Sequence, residues 1–170
     1  MIEESFLMIG EQLRLRNIEI KKSLSPALPK IKGDANQLEQ VFLNLITNAR
    51  DAISENKDKP KNGTADSIEI ITQPSETDEN GVEIIFKDTG KGINEADQNN
   101  IFDPFFTTKE VGKGTGLGLS ISYGLISDHN GQIEIAETGP QGTSFKITLP
   151  VAGSGKKDEA LDAEKYKKTA

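Results

Sequence analysis

The chain contains no cysteine and no tryptophan, and a single histidine, His129. Without cysteine it can form neither disulfides nor thiolate metal sites. One histidine excludes a multi-histidine metal centre. No apolar run approaches the length of a membrane span, and the N-terminus lacks the basic-then-apolar layout of a signal peptide. A basic surplus is also missing: 20 Lys and Arg stand against 27 Asp and Glu, a net charge of −7. That balance argues against nonspecific nucleic-acid binding and against docking on an anionic membrane, so neither is an expected partner. Neither G-x-x-x-x-G-K-[ST] nor G-x-G-x-x-G occurs, which sets aside the P-loop and the dinucleotide fingerprint.

What remains fits one domain of 170 residues, enough to bury roughly two-thirds of its unfolded surface. Residues 1–16 carry Leu7, Leu13 and Leu15 among charges and read as a helix remnant, the stub of a longer helix or a linker. Asn17–Lys21 alternates like a half-buried strand. Asp34, with Gln37 three residues on, has the pattern of a capping box. Leu38, Val41, Phe42, Leu45, Ile46, Ala49 and Ile53 then recur at helical spacing as a core face. Gln40, Asn44 and Asn48 fall at intervals of four along an adjacent stripe. Ile68–Thr72 and Val82–Phe86 read as strands joined by an acidic turn, with Asp88 just past the second. Residues 94–100 suggest a short helix, 101–115 a long loop, and about 116–129 a helix ending at the left-handed cap signal Asn130-Gly131. Gln132–Glu137 and Thr143–Leu149 alternate as two further strands. Residues 151–170 read as a linker or tail.

Two glycine-rich stretches carry the chemical signal: Asp88-Thr-Gly90-Lys-Gly92-Ile93, and Gly112-Lys113-Gly114-Thr115-Gly116-Leu117-Gly118-Leu119. Glycines so placed let backbone approach a ligand, and the second stretch runs into a helix start, where free N–H groups attract phosphate. Asp88 supplies an acceptor for a base. Between them lies an aromatic run, Phe102-Asp-Pro-Phe105-Phe106-Thr-Thr-Lys109, with three of the seven phenylalanines. A nucleotide site is the natural reading. Phe102 is expected to anchor the loop, with Phe105 or Phe106 facing a partner.

In order and spacing these pieces resemble the catalytic ATP-binding domain of bacterial sensor histidine kinases, members of the GHKL superfamily. The likeness extends from about Asn17 to Pro150. It rests on Asn44-Leu-Ile-Thr-Asn48-Ala-Arg-Asp-Ala-Ile53, on the two glycine stretches and on the phenylalanine run. It implies an α/β two-layer sandwich: a mixed, mainly antiparallel sheet of about five strands, about three helices on one face, and a mobile ATP lid. The cofactors implied are ATP and Mg²⁺. Asn44 would ligate the metal, and Asn48 would meet the phosphates or the metal's water shell. Asp88 would accept from the adenine amine, with Gly90, Gly92, Ile93 and Thr143 nearby, and Phe102 is a further candidate at the nucleotide. Gly114, Thr115, Gly116, Leu117, Gly118 and Leu119 would wrap the triphosphate, and Lys109 and Lys113 are candidates for the γ-phosphate.

The resemblance also implies partners: a dimerisation domain bearing the phosphoacceptor histidine, and the receiver domain of a response regulator. His129, at a helix end before Asn130-Gly131, suits a C-terminal dipole partner better than an acceptor. The chain thus reads as one domain of a longer protein, cytoplasmic and by itself a monomer, whose full length can be membrane-anchored. Hydrolytic relatives use a glutamate one turn before the metal asparagine. Here Gln40 stands there, and the adjacent Glu39 points about 100° away around the helix. A GHKL-type ATPase, a serine kinase of the anti-sigma kind and a non-catalytic nucleotide-binding module remain as alternatives.

Overall fold

A computed structural model describes residues 2–56, 65–75, 81–110, 112 and 114–152. Among them nine elements follow one another: α1 (Ile2–Leu15), β1 (Glu19–Leu24), α2 (Ala35–Glu55), β2 (Ser67–Pro74), β3 (Gly81–Asp88), α3 (Glu95–Gln98), α4 (Gly118–Asp128), β4 (Gln132–Gly139) and β5 (Gly142–Pro150). The strands form one sheet in the order β1-β2-β3-β5-β4, with β1 parallel to β2 and all other neighbours antiparallel. A parallel pair needs a crossover, and α2 is part of it. The expected mixed, mainly antiparallel five-stranded sheet is therefore present.

Alternation decides which face is covered. Ile68 and Ile70, Val82, Ile84 and Phe86, Ile133, and Phe145, Ile147 and Leu149 all point into one core with the helices. Glu69, Lys87, Glu134 and Lys146 occupy intervening positions. The predicted stripe of α2, from Leu38 to Ile53, is buried throughout, and Phe42 meets Phe86 with ring centroids 5.4 Å apart. In α1 the burying residues are Phe6, Ile9 and Leu13, while Leu7 and Leu15 are exposed. The first strand begins at Glu19, two residues later than its alternation suggests. Past Pro150 the described chain is still tied in: Val151 bridges Ile31, and the Ala152 N–H donates to the Lys30 carbonyl. The remainder of the expected tail, 153–170, and most of the 54–67 loop lie outside the described residues.

The start of α2 departs from the capping-box expectation. Asp34 Oδ1 accepts from the N–H groups of Asn36 and Gln37, but the Asp34 N–H donates to His129 Nε2 at 2.9 Å. His129 Nδ1 is 2.7 Å from the Leu125 carbonyl and must be the nitrogen that carries the proton. His129 is thus a bridge between the end of α4 and the start of α2. His129→Ala removes that bridge at a part-buried position and is expected to cost about 1 kcal/mol. Thermal unfolding followed by circular dichroism should show a midpoint about 2–4 °C lower.

Candidate functional site

A cleft of about 640 Å³ lies between α2, the segment after β3, residues 106–109 and 114–116, and the start of α4. That is a volume suited to a cofactor-sized ligand. Of the sequence-nominated residues it is lined by Asn44, Asn48, Asp88, Gly92, Ile93, Lys109, Gly114, Thr115, Gly116, Gly118, Leu119 and Thr143. Gly90, Phe102 and Leu117 do not line it, and Lys113 lies outside the described residues.

At one part of the cleft the geometry centres on Asp88. It is the last residue of β3, is only 6% exposed, and still reaches the cavity wall. Oδ1 accepts from the Gly90 N–H at 2.7 Å and from the Thr143 N–H at 3.3 Å, which fixes the carboxylate plane. Gly90 serves from behind the wall, since a Cβ there would fall 2.7 Å from the Ala52 Cβ. Thr143 and Thr138 are joined at 3.2 Å between their hydroxyl oxygens, and Thr138 Oγ1 accepts from the Ile93 N–H at 2.9 Å. The β4–β5 hairpin therefore holds the loop that follows Asp88. Thr138 was not foreseeable in sequence, because only the hairpin register brings it to Ile93.

Elsewhere Asn44 faces the start of α4. Its Nδ2 donates to the Gly118 carbonyl at 3.1 Å and to Ser122 Oγ at 3.2 Å. With the amide nitrogen engaged, Oδ1 is the atom offered to the cleft. A hard, neutral oxygen fits an ion that keeps most of its shell from water and phosphate, as Mg²⁺ does. Among the described residues no group of three or more His, Asp or Glu could hold a metal unaided. The first turn of α4 carries no side-chain cap, so its N–H groups keep their attraction for anions. Gln40 is exposed and is absent from the cleft wall.

Residues 101–110 and 114–116 fold back over this region. Phe102 packs against the core and stacks on Tyr123 of α4, centroids 5.4 Å apart. Phe106 lines the cleft, while Phe105 is 74% exposed. Phe105 has φ 68°, and its N–H donates to the Gly116 carbonyl at 3.0 Å. Gly116 itself has φ 67°, and a Cβ there would lie 2.4 Å from the Phe105 carbonyl carbon, so no other residue permits this crossing.

Lys109 takes a position the sequence did not suggest. Its Nζ lies 2.7 Å from Asp51 Oδ2 and 3.5 Å from Asn48 Oδ1. Burial pushes the Asp51 carboxyl up, but hydrogen bonds from Lys109 and Arg50, with their charges, outweigh this and hold it below the usual carboxylate range. A depressed carboxylate stabilises the fold above its unfolded pKa, and that contribution is lost as pH falls toward the lowered folded value. Asp51 was missed as a site residue. It falls three residues after Asn48 and seven after Asn44, on the same helical stripe, so the spacing carried the signal.

Comparisons with known proteins agree with this architecture. Residues 33–153 match the family described as histidine kinase-, DNA gyrase B- and HSP90-like ATPase. The chain is 41% identical over 150 residues to sporulation kinase A of Bacillus subtilis, covering 88% of this chain and 22% of that protein. To the sensor kinase CckA of Brucella abortus it is 41% identical over 165 residues, covering 95% and 18%. It therefore spans about one fifth of the length of these relatives. Among solved structures, the nucleotide-free catalytic domain of histidine kinase ThkA superposes with a TM-score of 0.70 at 30% identity, over 88% of this chain and 89% of that one. With the family match running over most of the sequence, the chain belongs to the histidine kinase-, DNA gyrase B- and HSP90-like ATPase family.

Proposed function

We propose that this domain binds Mg²⁺-ATP in the cleft and presents its γ-phosphoryl group to a histidine on a dimerisation domain of the same protein. The observation that carries the reading is a nearly buried carboxylate, Asp88, sharing one cavity with the uncapped start of α4 and Asn44. Asp88 accepts a hydrogen bond from the exocyclic amine of adenine, where guanine presents an oxygen instead. The Gly114–Leu119 backbone and the first turn of α4 enclose the phosphates. Asn44 Oδ1 would hold the metal bound with the triphosphate, which supplies neutralisation of charge on the transferring group. In the transfer the bond from γ-phosphorus to the bridging oxygen breaks, a bond to an imidazole nitrogen forms, and ADP leaves. The next recipient is the receiver domain of a response regulator. The site's own part is positioning and electrostatics. Exposed Gln40 offers no general base for water, which favours transfer over hydrolysis. Both ring nitrogens of His129 are engaged in the fold, which disfavours it as the acceptor. The reading also holds the isolated domain to be a cytoplasmic monomer; no helix among the described residues is long and apolar enough to cross a membrane.

Calorimetric titration with ATP, ADP and GTP, with and without Mg²⁺, tests this directly. Asn44→Ala is expected to lower affinity for ATP in Mg²⁺ by about ten-fold or more and to remove most of the difference between Mg²⁺ and chelator. A variant that keeps the full metal dependence would take Asn44 out of the site. Transfer to histidine is checked by the acid lability of the label on the full-length protein, and an acid-stable label would point to serine instead.

A further inference from the structure

We infer that Asp51 sets the preference of this site between nucleoside triphosphate and diphosphate, by holding Lys109 against the pull of the terminal phosphate. The inference rests on the nucleotide reading above and deepens it. Lys109 belongs to the loop folded over the cleft, and Asp51 belongs to α2 beneath it. Their charged atoms are 2.7 Å apart, and both side chains are only 22% exposed. The acid is itself fixed: Asp51 Oδ1 accepts from Arg50 Nε at 2.9 Å and from Nη2 at 2.7 Å. Arg50 Nη1 in turn donates to Gln12 Oε1 of α1 at 2.7 Å. Each carboxylate oxygen thus has its own cation, and Lys109 is held by Oδ2 beside Asn48, on the wall where the phosphates would lie.

A triphosphate gains Lys109 only by drawing it off Asp51. A diphosphate, one phosphate shorter, leaves the pair intact. Asp51 therefore weakens binding of ATP while leaving that of ADP alone. It acts through Lys109, as a specificity-determining residue that need not touch the nucleotide. The same exchange frees Lys109 from α2 when ATP binds and restores the tie when ADP remains.

The test is titration of ATP and ADP, each with Mg²⁺, into the wild-type chain, Asp51→Asn, Lys109→Gln and the double variant. Asp51→Asn should tighten ATP binding by about three- to five-fold and leave ADP unchanged. Lys109→Gln should weaken ATP alone. In the Lys109→Gln background, adding Asp51→Asn should do nothing further, since the competition has no object left. Tightening of both nucleotides in both backgrounds would mean that Asp51 acts only through its general field, and would overturn the inference. So would an unchanged ATP/ADP ratio in Asp51→Asn, or in Lys109→Gln should Asp51→Asn not fold. A wild-type chain that binds neither nucleotide sinks the functional reading itself, a result distinct from any of these.

Discussion

Asp88→Asn is expected to weaken ATP binding by about ten- to a hundred-fold and to erase the preference for ATP over GTP. The substitution is nearly isosteric, and its effect follows from how the wild-type carboxylate is held. Oδ1 is committed to the Gly90 and Thr143 N–H groups. An asparagine can keep those two bonds only by placing its carbonyl oxygen there. Its NH₂ then stands where the second carboxylate oxygen was, and a donor faces the amine of adenine. The charge that strengthened the contact is lost as well. Guanine, which presents an acceptor at that edge, meets the new NH₂ favourably. Calorimetry with both nucleotides reads the change, with the melting temperature as a control for the fold. An Asp88→Asn protein that binds ATP as before would remove the basis for the purine assignment.

The largest loss of stability is expected at Gly142. Its φ of 132° lies where L side chains are rarely found, and an added Cβ would sit 1.9 Å from the Asp88 carbonyl oxygen. The three nearest atoms, the Asp88 carbonyl oxygen and carbon and Thr89 Cα, are all backbone, so no rotamer change relieves the clash. Gly142→Ala should cost about 3 kcal/mol or more, lowering the unfolding midpoint by on the order of 10 °C. Gly142 opens β5 beside the end of β3, so the strain falls on Asp88 and nucleotide affinity should drop with stability. Gly124 is the control. It lies within α4 with nothing within 4 Å of a Cβ, and Gly124→Ala should be neutral or stabilising by about 0.5–1 kcal/mol. Equal melting temperatures for Gly142→Ala and the wild type would contradict the close approach of these two strands.

Much of this architecture was legible because its determinants are local. The stripe from Leu38 to Ile53 carries its own period, Asp34 its own cap, and the alternation in β2, β3, β4 and β5 its own two-residue repeat. What escaped was set by contacts distant in sequence. The Asp34 N–H is met by His129, 95 residues away, where local pattern offered Gln37. In α1 the leucines among charges suggested a helix remnant but not which face it buries. The buried face carries Phe6, Ile9 and Leu13, whereas Leu7 and Leu15 are exposed. The glycine stretches announced a site for the opposite reason, since loops built around a ligand need residues that are otherwise costly. They did not disclose that Lys109 lies on Asp51, because an ion pair between a loop and a helix has no sequence period.

Phe105 gives the crossing loop a bias of its own. A bulky residue in the left-handed region costs about 1–2 kcal/mol, and its ring, exposed, recovers little of that by burial. One bond that keeps the turn runs from its N–H to the Gly116 carbonyl. A second bond, from the Phe106 N–H to the Asp103 carbonyl at 3.2 Å, closes the same turn. The crossing at Phe105 and Gly116 therefore carries a local backbone cost that its two hydrogen bonds offset before any ligand arrives.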